Sequence, residues 1–149
     1  MATEERLTEF EKIFMNFQYR ISQEWHKRLS PVLSPSQGTI LLKLKKEGKK
    51  KITELADDMF ITPGAITSLS VKLIANEYAV RTKDEHDRRV VYLEITEKGE
   101  NLLEIYLKEL KNTINYFFSG LKEEELELLS TIFEKILINI EQEKEEEIK

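Results

Sequence analysis

The chain has 149 residues, a formal net charge of −5 and no cysteine. The length fits one domain or a domain with extra helices, and the lack of cysteine excludes disulfides, thiolate metal ligands and cysteine redox sensing. An acidic N-terminus without an apolar stretch, and the lack of any run long enough to span a bilayer, predict a cytoplasmic protein with no membrane partner.

The charge is spread unevenly along the chain. Residues 36–95 hold 11 Lys and Arg against 9 Asp and Glu, while the remainder holds 12 against 19. Gly and Pro number only 5 and 3, which favours helices over a turn-rich all-β fold. The sequence therefore predicts a mainly helical chain with a relatively basic middle, although the overall charge argues weakly against nucleic acid.

A long helix is predicted first. Apolar residues recur at steps of three and four on one narrow face: Leu7, Phe10, Phe14, Phe17 and Ile21. Three phenylalanines on one stripe require a partner surface.

The segment of residues 30–37 ends this helix and contains the start of the next one. The second helix is predicted to begin after Ser34 as its N-cap, with Pro35 at the first helical position and Gln37 completing a capping box. Its predicted buried face is Ile40, Leu41 and Leu44.

Two short helices are predicted after a basic loop at residues 45–51. The first covers residues 52–60, with Thr53 as its cap and with Leu55, Ala56 and Met59 buried. The second starts from Thr62 as N-cap and Pro63 at the first helical position. Its predicted apolar face is Ile66, Leu69, Leu73 and Ile74. This layout is that of a helix-turn-helix, and an ordinary helical hairpin is the alternative.

A β-hairpin is predicted next. Residues 78–83 and 90–95 are rich in β-prone residues, and apolar positions alternate in the second run. The charged segment DEHDRR, residues 84–89, lies between them. A two-stranded hairpin directly after a helix-turn-helix is a wing, so this segment is predicted as a wing tip. Thr96 is predicted to cap the helix that follows.

The remainder is predicted to be helical, with a break near residues 119–125 and a frayed acidic tail at residues 141–149. Its two apolar stripes are Leu103, Leu107, Leu110, Ile114, Phe117 and Leu121, then Leu129, Ile132, Phe133, Ile136, Leu137 and Ile140.

In this order the parts resemble the MarR family of bacterial transcriptional regulators. The most specific segment is DRRVVYLEITEKG, residues 87–99, supported by LSPSQGTILLKL and ITELADDMFITPGAITSLSVKL. The resemblance implies one unit over residues 1–149, mainly α with a small β-hairpin wing. Residues 34–96 would form the winged helix-turn-helix core, and residues 1–30 and 100–149 the dimerisation helices.

The resemblance also implies a function. It indicates a homodimer that binds a palindromic operator in double-stranded DNA with sequence specificity, without a cofactor. A recognition helix would lie in the major groove and a wing in the adjacent minor groove. A repressor that blocks a promoter is the simplest regulator of this kind, and a small ligand could relieve it. The chain departs from the family pattern at Glu77, where glycine is usual, and at Ser68, where a basic residue is common.

The predicted reading surface is the recognition-helix face opposite its apolar residues. Small residues there allow close approach to base edges, hydroxyls can donate or accept, and methyl groups can contact thymine. Its members are Thr62, Gly64, Ala65, Thr67, Ser68, Val71 and Lys72. The helix start at Thr62 also offers free backbone N–H groups to a phosphate. The alternative is that Thr62 only caps and the serines only face solvent.

In the wing, Arg88 and Arg89 are predicted to enter an A·T-rich minor groove, whose negative potential attracts arginine. Asp87 would repel phosphate, so its predicted role is to pair with Arg89 and hold that side chain in position. A solvated charged turn is the alternative. Further basic residues are predicted to supply backbone contacts or a general positive field: Lys49, Lys50, Lys51, Arg81 and Lys83.

A winged-helix module for protein–protein contact, without specific DNA binding, is the alternative function. The net charge and Ser68 favour it, whereas Arg88 and Arg89 favour DNA. No catalytic residues are predicted, because the sequence has no phosphate-binding glycine loop and no HExxH motif. The two histidines, His26 and His86, are too far apart in sequence to indicate a metal site.

Overall fold

The computed structural model describes residues 1–148. Its helices are α1 (Glu4–Leu29), α2 (Pro35–Glu47), α3 (Ile52–Met59), α4 (Pro63–Ala75), α5 (Glu97–Phe118) and α6 (Glu123–Ile148). Its strands are β1 (Lys50–Lys51), β2 (Ala79–Lys83) and β3 (Val91–Ile95), paired antiparallel in the order β1-β3-β2. The predicted class, mainly α with a small β wing, is confirmed.

The chain divides into two compact units. The first runs from Met1 to Thr113 and the second begins at Ile114. The first contains α1 to α4, the sheet and most of α5. Its hydrophobic core gathers one side of each of these elements, with Leu29, Ile40, Leu55, Ile66, Leu73, Leu93 and Leu103 among the buried side chains. This core fixes the relative positions of α4 and the wing.

Three predicted helix starts are confirmed by their hydrogen bonds. The Gln37 N–H donates to Ser34 Oγ at 3.2 Å, and the Ser34 N–H donates to Gln37 Oε1 at 3.3 Å, so the capping box is complete. Thr62 Oγ1 accepts from the Ala65 N–H at 3.2 Å. Thr96 Oγ1 accepts from the Gly99 N–H at 3.0 Å. Local side-chain chemistry therefore sets where α2, α4 and α5 begin.

The predicted start of α3 at Thr53 is wrong. The helix begins at Ile52, and Lys51 stands at the N-cap in extended conformation without a side-chain hydrogen bond. The cause is β1, which was predicted as part of a basic loop. Lys50 and Lys51 pair with Leu93 and Tyr92 of β3, so the chain enters α3 directly from the sheet.

The end of α4 is joined tightly to the start of α5. Glu77 adopts a left-handed conformation with φ 63°. The Glu77 N–H bonds to the Ile74 carbonyl at 3.0 Å, and the Tyr78 N–H bonds to the Leu73 carbonyl at 2.9 Å, which together form a Schellman motif. Thr96 Oγ1 donates to the Glu77 carbonyl at 2.6 Å. A Cβ at Gly99 would collide with the Tyr78 carbonyl oxygen.

The second unit consists of the end of α5 and α6. The Lys122 N–H donates to Glu125 Oε1 at 3.2 Å, which satisfies one backbone donor at the start of α6. The predicted fraying of residues 141–149 is wrong for residues 141–148, which continue α6, while Lys149 lies outside the described residues. Nowhere in residues 1–148 is a helix both long and apolar enough to cross a membrane.

Candidate nucleic-acid interface

The predicted reading residues share one side of α4. Thr62, Gly64, Thr67, Ser68, Val71 and Lys72 are exposed, and Ala65 is half-buried. The other side packs into the core through Ile66, Ser70 and Leu73. A Cβ on Gly64 would meet nothing closer than Thr62 Oγ1, at 4.0 Å. The helix therefore offers a shallow face that a base edge can approach.

The hydroxyl groups on this face differ in their bonding. Thr62 Oγ1 accepts the capping bond already described, and Thr67 Oγ1 donates to the Pro63 carbonyl at 3.0 Å. In the part of the chain that the structure describes, the Ser68 hydroxyl has no hydrogen-bond partner. Ser68 can therefore both donate and accept at a base edge, whereas Thr67 has only lone pairs and its methyl group left to offer.

The wing tip is organised by Asp84, a residue that the sequence reasoning missed. Its Oδ1 accepts from the backbone N–H groups of His86 at 2.8 Å and Asp87 at 3.1 Å. Its Oδ2 accepts from the Tyr92 hydroxyl at 3.1 Å. These donors lower the pKa of Asp84, the His86 N–H most, and the same carboxylate raises the pKa of Tyr92. The available signal was an aspartate at the start of a turn, where its side chain can bond the backbone two residues on.

The predicted pairing of Asp87 with Arg89 is confirmed. Arg89 Nε lies 3.1 Å from Asp87 Oδ1, and Arg89 Nη2 lies 3.3 Å from Asp87 Oδ2. The Arg89 guanidinium and then its backbone N–H lower the pKa of Asp87. The Arg89 side chain is nevertheless 92% exposed. Arg88 is also exposed, and within residues 1–148 its side chain has no partner.

The other basic residues do not form one free surface. Lys50 Nζ lies 2.8 Å from Asp58 Oδ2 and 2.9 Å from Glu47 Oε2, and these carboxylates, Asp58 first, raise the pKa of Lys50. Two carboxylates therefore enclose the Lys50 ammonium group, and the prediction that Lys50 supplies a backbone contact or a general positive field stays a prediction. Lys49 Nζ lies 4.8 Å above the Tyr92 ring. Arg81 and Lys83 are exposed on β2.

Two helices of a helix-turn-helix, α3 and α4, are thus followed by a two-stranded wing with arginines at its tip. This arrangement defines the winged helix-turn-helix class of DNA-binding proteins. The model of the MarR family matches residues 33–91. Together with the relatives below, this match shows that the chain belongs to the MarR family, whose members are DNA-binding transcriptional regulators and not enzymes.

The chain is 32% identical over 120 residues to the uncharacterized HTH-type transcriptional regulator YpoP of Bacillus subtilis, covering 78% of this chain and 83% of that one. It is 34% identical over 94 residues to the HTH-type transcriptional repressor MdtR of the same organism, covering 63% and 61%. The crystal structure of the transcriptional regulator BldR from Sulfolobus solfataricus superposes with a TM-score of 0.68 at 30% identity, covering 91% and 99%.

Residues 1–148 contain no group of three or more His, Asp and Glu side chains that could hold a metal ion. The acidic residues Asp57 and Asp58 lie on α3, where Asp58 is bonded to Lys50 as described.

Proposed function

We propose that the chain is a repressor that binds a palindromic operator in double-stranded DNA as a homodimer. In this proposal α4 enters the major groove and the wing tip enters the adjacent minor groove. A regulator of this kind acts on the chromosome, so we infer a cytoplasmic location.

The observation that carries DNA binding is the construction of the wing tip. Three hydrogen bonds to Asp84 fold the tip, and the bidentate bond to Asp87 holds Arg89, while Arg88 extends without a partner among the described residues. Arginine is the side chain best suited to the negative potential of a narrow minor groove. A tip held in one shape loses less conformational entropy when it inserts, which favours binding.

The apolar stripes of the terminal helices support the homodimer. Phe10, Phe14 and Phe17 on α1 are exposed, and so are Ile132, Phe133, Ile136 and Leu137 on α6. Exposed apolar surface on this scale is typical of an interaction site. A second copy of the chain would bring the same stripes and cover them by two-fold symmetry. Two recognition helices related by that symmetry would read a palindromic site.

Repression is the direction of regulation that requires least of the protein, because a bound dimer can block a promoter without contacting polymerase. The name of MdtR, a repressor, agrees with this. Relief by a small ligand is included on the family resemblance alone, and we assign no residues to a ligand site.

The test is duplex binding by fluorescence anisotropy, with DNA from beside the protein's own gene, a shuffled duplex and a salt series. The charge reversal Arg88→Glu with Arg89→Glu is expected to abolish specific binding, because it turns an attraction for phosphate and minor groove into a repulsion. The matched control is Lys108→Glu with Lys111→Glu, which changes the net charge equally at two exposed residues of α5. Light scattering first establishes that both variants have the mass of the parent.

Tight binding to the native duplex that is lost only in the wing variant supports the proposal. If the wing variant and the control bind the native duplex as specifically as the parent, the wing does not contact DNA. If the parent binds the native and the shuffled duplex weakly and equally, and the wing variant changes neither, the protein–protein module is favoured, and the overall charge of −5 agrees with such a role.

A further inference from the structure

At two neighbouring positions of α4, the polar side chain is buried and the apolar one is exposed, which is the opposite of the usual distribution. Ser70 is completely buried, and its hydroxyl donates to the Ile66 carbonyl at 2.6 Å. Val71, the next residue, is 56% exposed. Valine is a weaker helix former than Lys, Glu or Ala, so helix stability does not favour it at an exposed position. Val71 therefore places an apolar side chain on the solvent-facing side of α4, where a partner could contact it.

Apart from Lys72, the exposed face of α4 also lacks the side chains that read purines by paired hydrogen bonds. Guanine is usually read by Arg or Lys, and adenine by Asn or Gln. The helix sequence PGAITSLSVKLIA contains none of Arg, Asn, Gln, Asp or Glu, and its one long polar side chain, Lys72, is in the last turn. What remains along most of the face is two hydroxyl groups and a set of methyl groups.

The methyl groups lie together on the helix. Thr67 precedes Val71 by four residues, a spacing that makes two side chains neighbours on a helix surface. Because the Thr67 hydroxyl is bonded to the Pro63 carbonyl, χ1 of Thr67 is fixed and its methyl is the unengaged branch. Gly64, one turn earlier, adds no side chain that would hold a base edge away.

We propose that Val71, together with the Thr67 methyl, recognises the 5-methyl group of thymine in the major groove. Thymine is the base that presents an apolar group there. Each half-site would then carry thymine where Val71 lies, and Val71 is a specificity-determining residue. This inference rests on the proposed function, since it requires α4 to enter the major groove.

The test changes one methyl group on the DNA and one side chain on the protein. A binding duplex is selected from a random-sequence library, and each of its thymines is replaced in turn by deoxyuridine, which removes only the 5-methyl group. For the parent protein, one thymine in each half-site is expected to be sensitive. Replacing that single thymine should weaken binding by about fourfold, which is the effect of one buried methyl group. Val71→Ala should bind the thymine duplex more weakly and lose most of the parent's preference for thymine over deoxyuridine, with a small remainder from the Thr67 methyl.

The matched control is Val80→Ala. Val80 is another exposed valine, at 41%, but it lies on β2 and not on α4. This variant should keep the full sensitivity to deoxyuridine. Because Val71 is exposed and alanine is the better helix former, Val71→Ala should melt at or slightly above the temperature of the parent, and a thermal melt by circular dichroism verifies that the variant is folded.

Two results would overturn the inference while leaving the proposed function intact. One is specific binding that no deoxyuridine replacement weakens, and the other is a Val71→Ala variant that stays as sensitive as the parent. If the library yields no binding duplex at all, the proposed function fails together with this inference, and that outcome appears before any thymine is replaced.

Discussion

The winged core and the terminal helices use their apolar residues in opposite ways. In the core, Leu55, Ile66 and Leu93 are completely buried, and polar caps define where α2 and α4 begin. On α1 the aromatic stripe is exposed, and no residue of α6 is buried. Both regions carry apolar residues at helical spacing in the sequence, but only the core buries most of these side chains within one chain.

This difference separates folding from assembly. The buried apolar residues of the core stabilise its fold. The residues exposed on its surface are then the ones available for binding. The terminal helices carry apolar surface that water contacts in a single chain, which is unfavourable for a monomer. A second copy of the chain, as proposed above, would remove that cost.

The largest expected effect comes from placing a charge in the α1 stripe. Phe14 stacks on Phe10 with ring centroids 6.0 Å apart. Phe14→Asp should dissociate the proposed dimer, because a carboxylate buried without a partner costs several kcal/mol. Sedimentation velocity should then give the mass of one chain. Lys12→Asp, which lies two residues away and roughly 200° round the helix, should leave the mass unchanged. An unchanged mass for Phe14→Asp would show that α1 is not part of the interface.

A comparison of two leucine truncations sharpens the contrast. Leu55→Ala should lower the free energy of unfolding by about 2–5 kcal/mol, because Leu55 is fully buried and its loss leaves a cavity. Leu128 on α6 is 62% exposed, so in a single chain Leu128→Ala should change that free energy by less than about 0.5 kcal/mol. Urea unfolding at several protein concentrations measures both. A cost for Leu128→Ala that grows with concentration would mean that assembly covers this residue.

The smallest expected effect concerns the wing tip, where polar bonds replace the apolar packing of the core. The pKa of Asp84 is lowered, so its carboxylate stabilises the folded tip above its ordinary pKa of 3.8, and that contribution disappears as the pH falls through the lowered value. The amide resonance of His86, whose N–H donates to the Asp84 carboxylate, should therefore titrate with a midpoint below 3.8 when followed by NMR. Asp84→Asn should abolish this titration. Glu85→Gln, at the next residue, should leave it in place, and a titration that survives in Asp84→Asn would assign it to another group.

Much of the fold could be predicted because its signals are local. The caps at Ser34, Thr62 and Thr96 act on N–H groups three residues on, and the sequence shows both partners. The β1 strand could not be predicted in this way. Two lysines have no β preference, and they form a strand because β3 offers them backbone partners about 40 residues later in the chain. The cap wrongly predicted at Thr53 follows from the same omission.

In the candidate site, too, contacts between residues close in sequence were predictable and contacts between distant residues were not. The bond between Asp87 and Arg89 was predictable because the two residues stand two apart in one turn. The enclosure of Lys50 was not, because Asp58 reaches it only after α3 has folded back against β1. The role of Asp84 was also hidden, since one of its three donors, Tyr92, belongs to the returning strand.

The joint between α4 and α5 has a mechanical consequence. Lys98 Nζ donates to the Asn76 carbonyl at 3.0 Å, next to the bond from Thr96 to Glu77, and the collision that a methyl at Gly99 would cause means that the two segments are already in contact. These two hydrogen bonds and the close approach at Gly99 therefore hold the end of α4 and the first turn of α5 in one relative orientation.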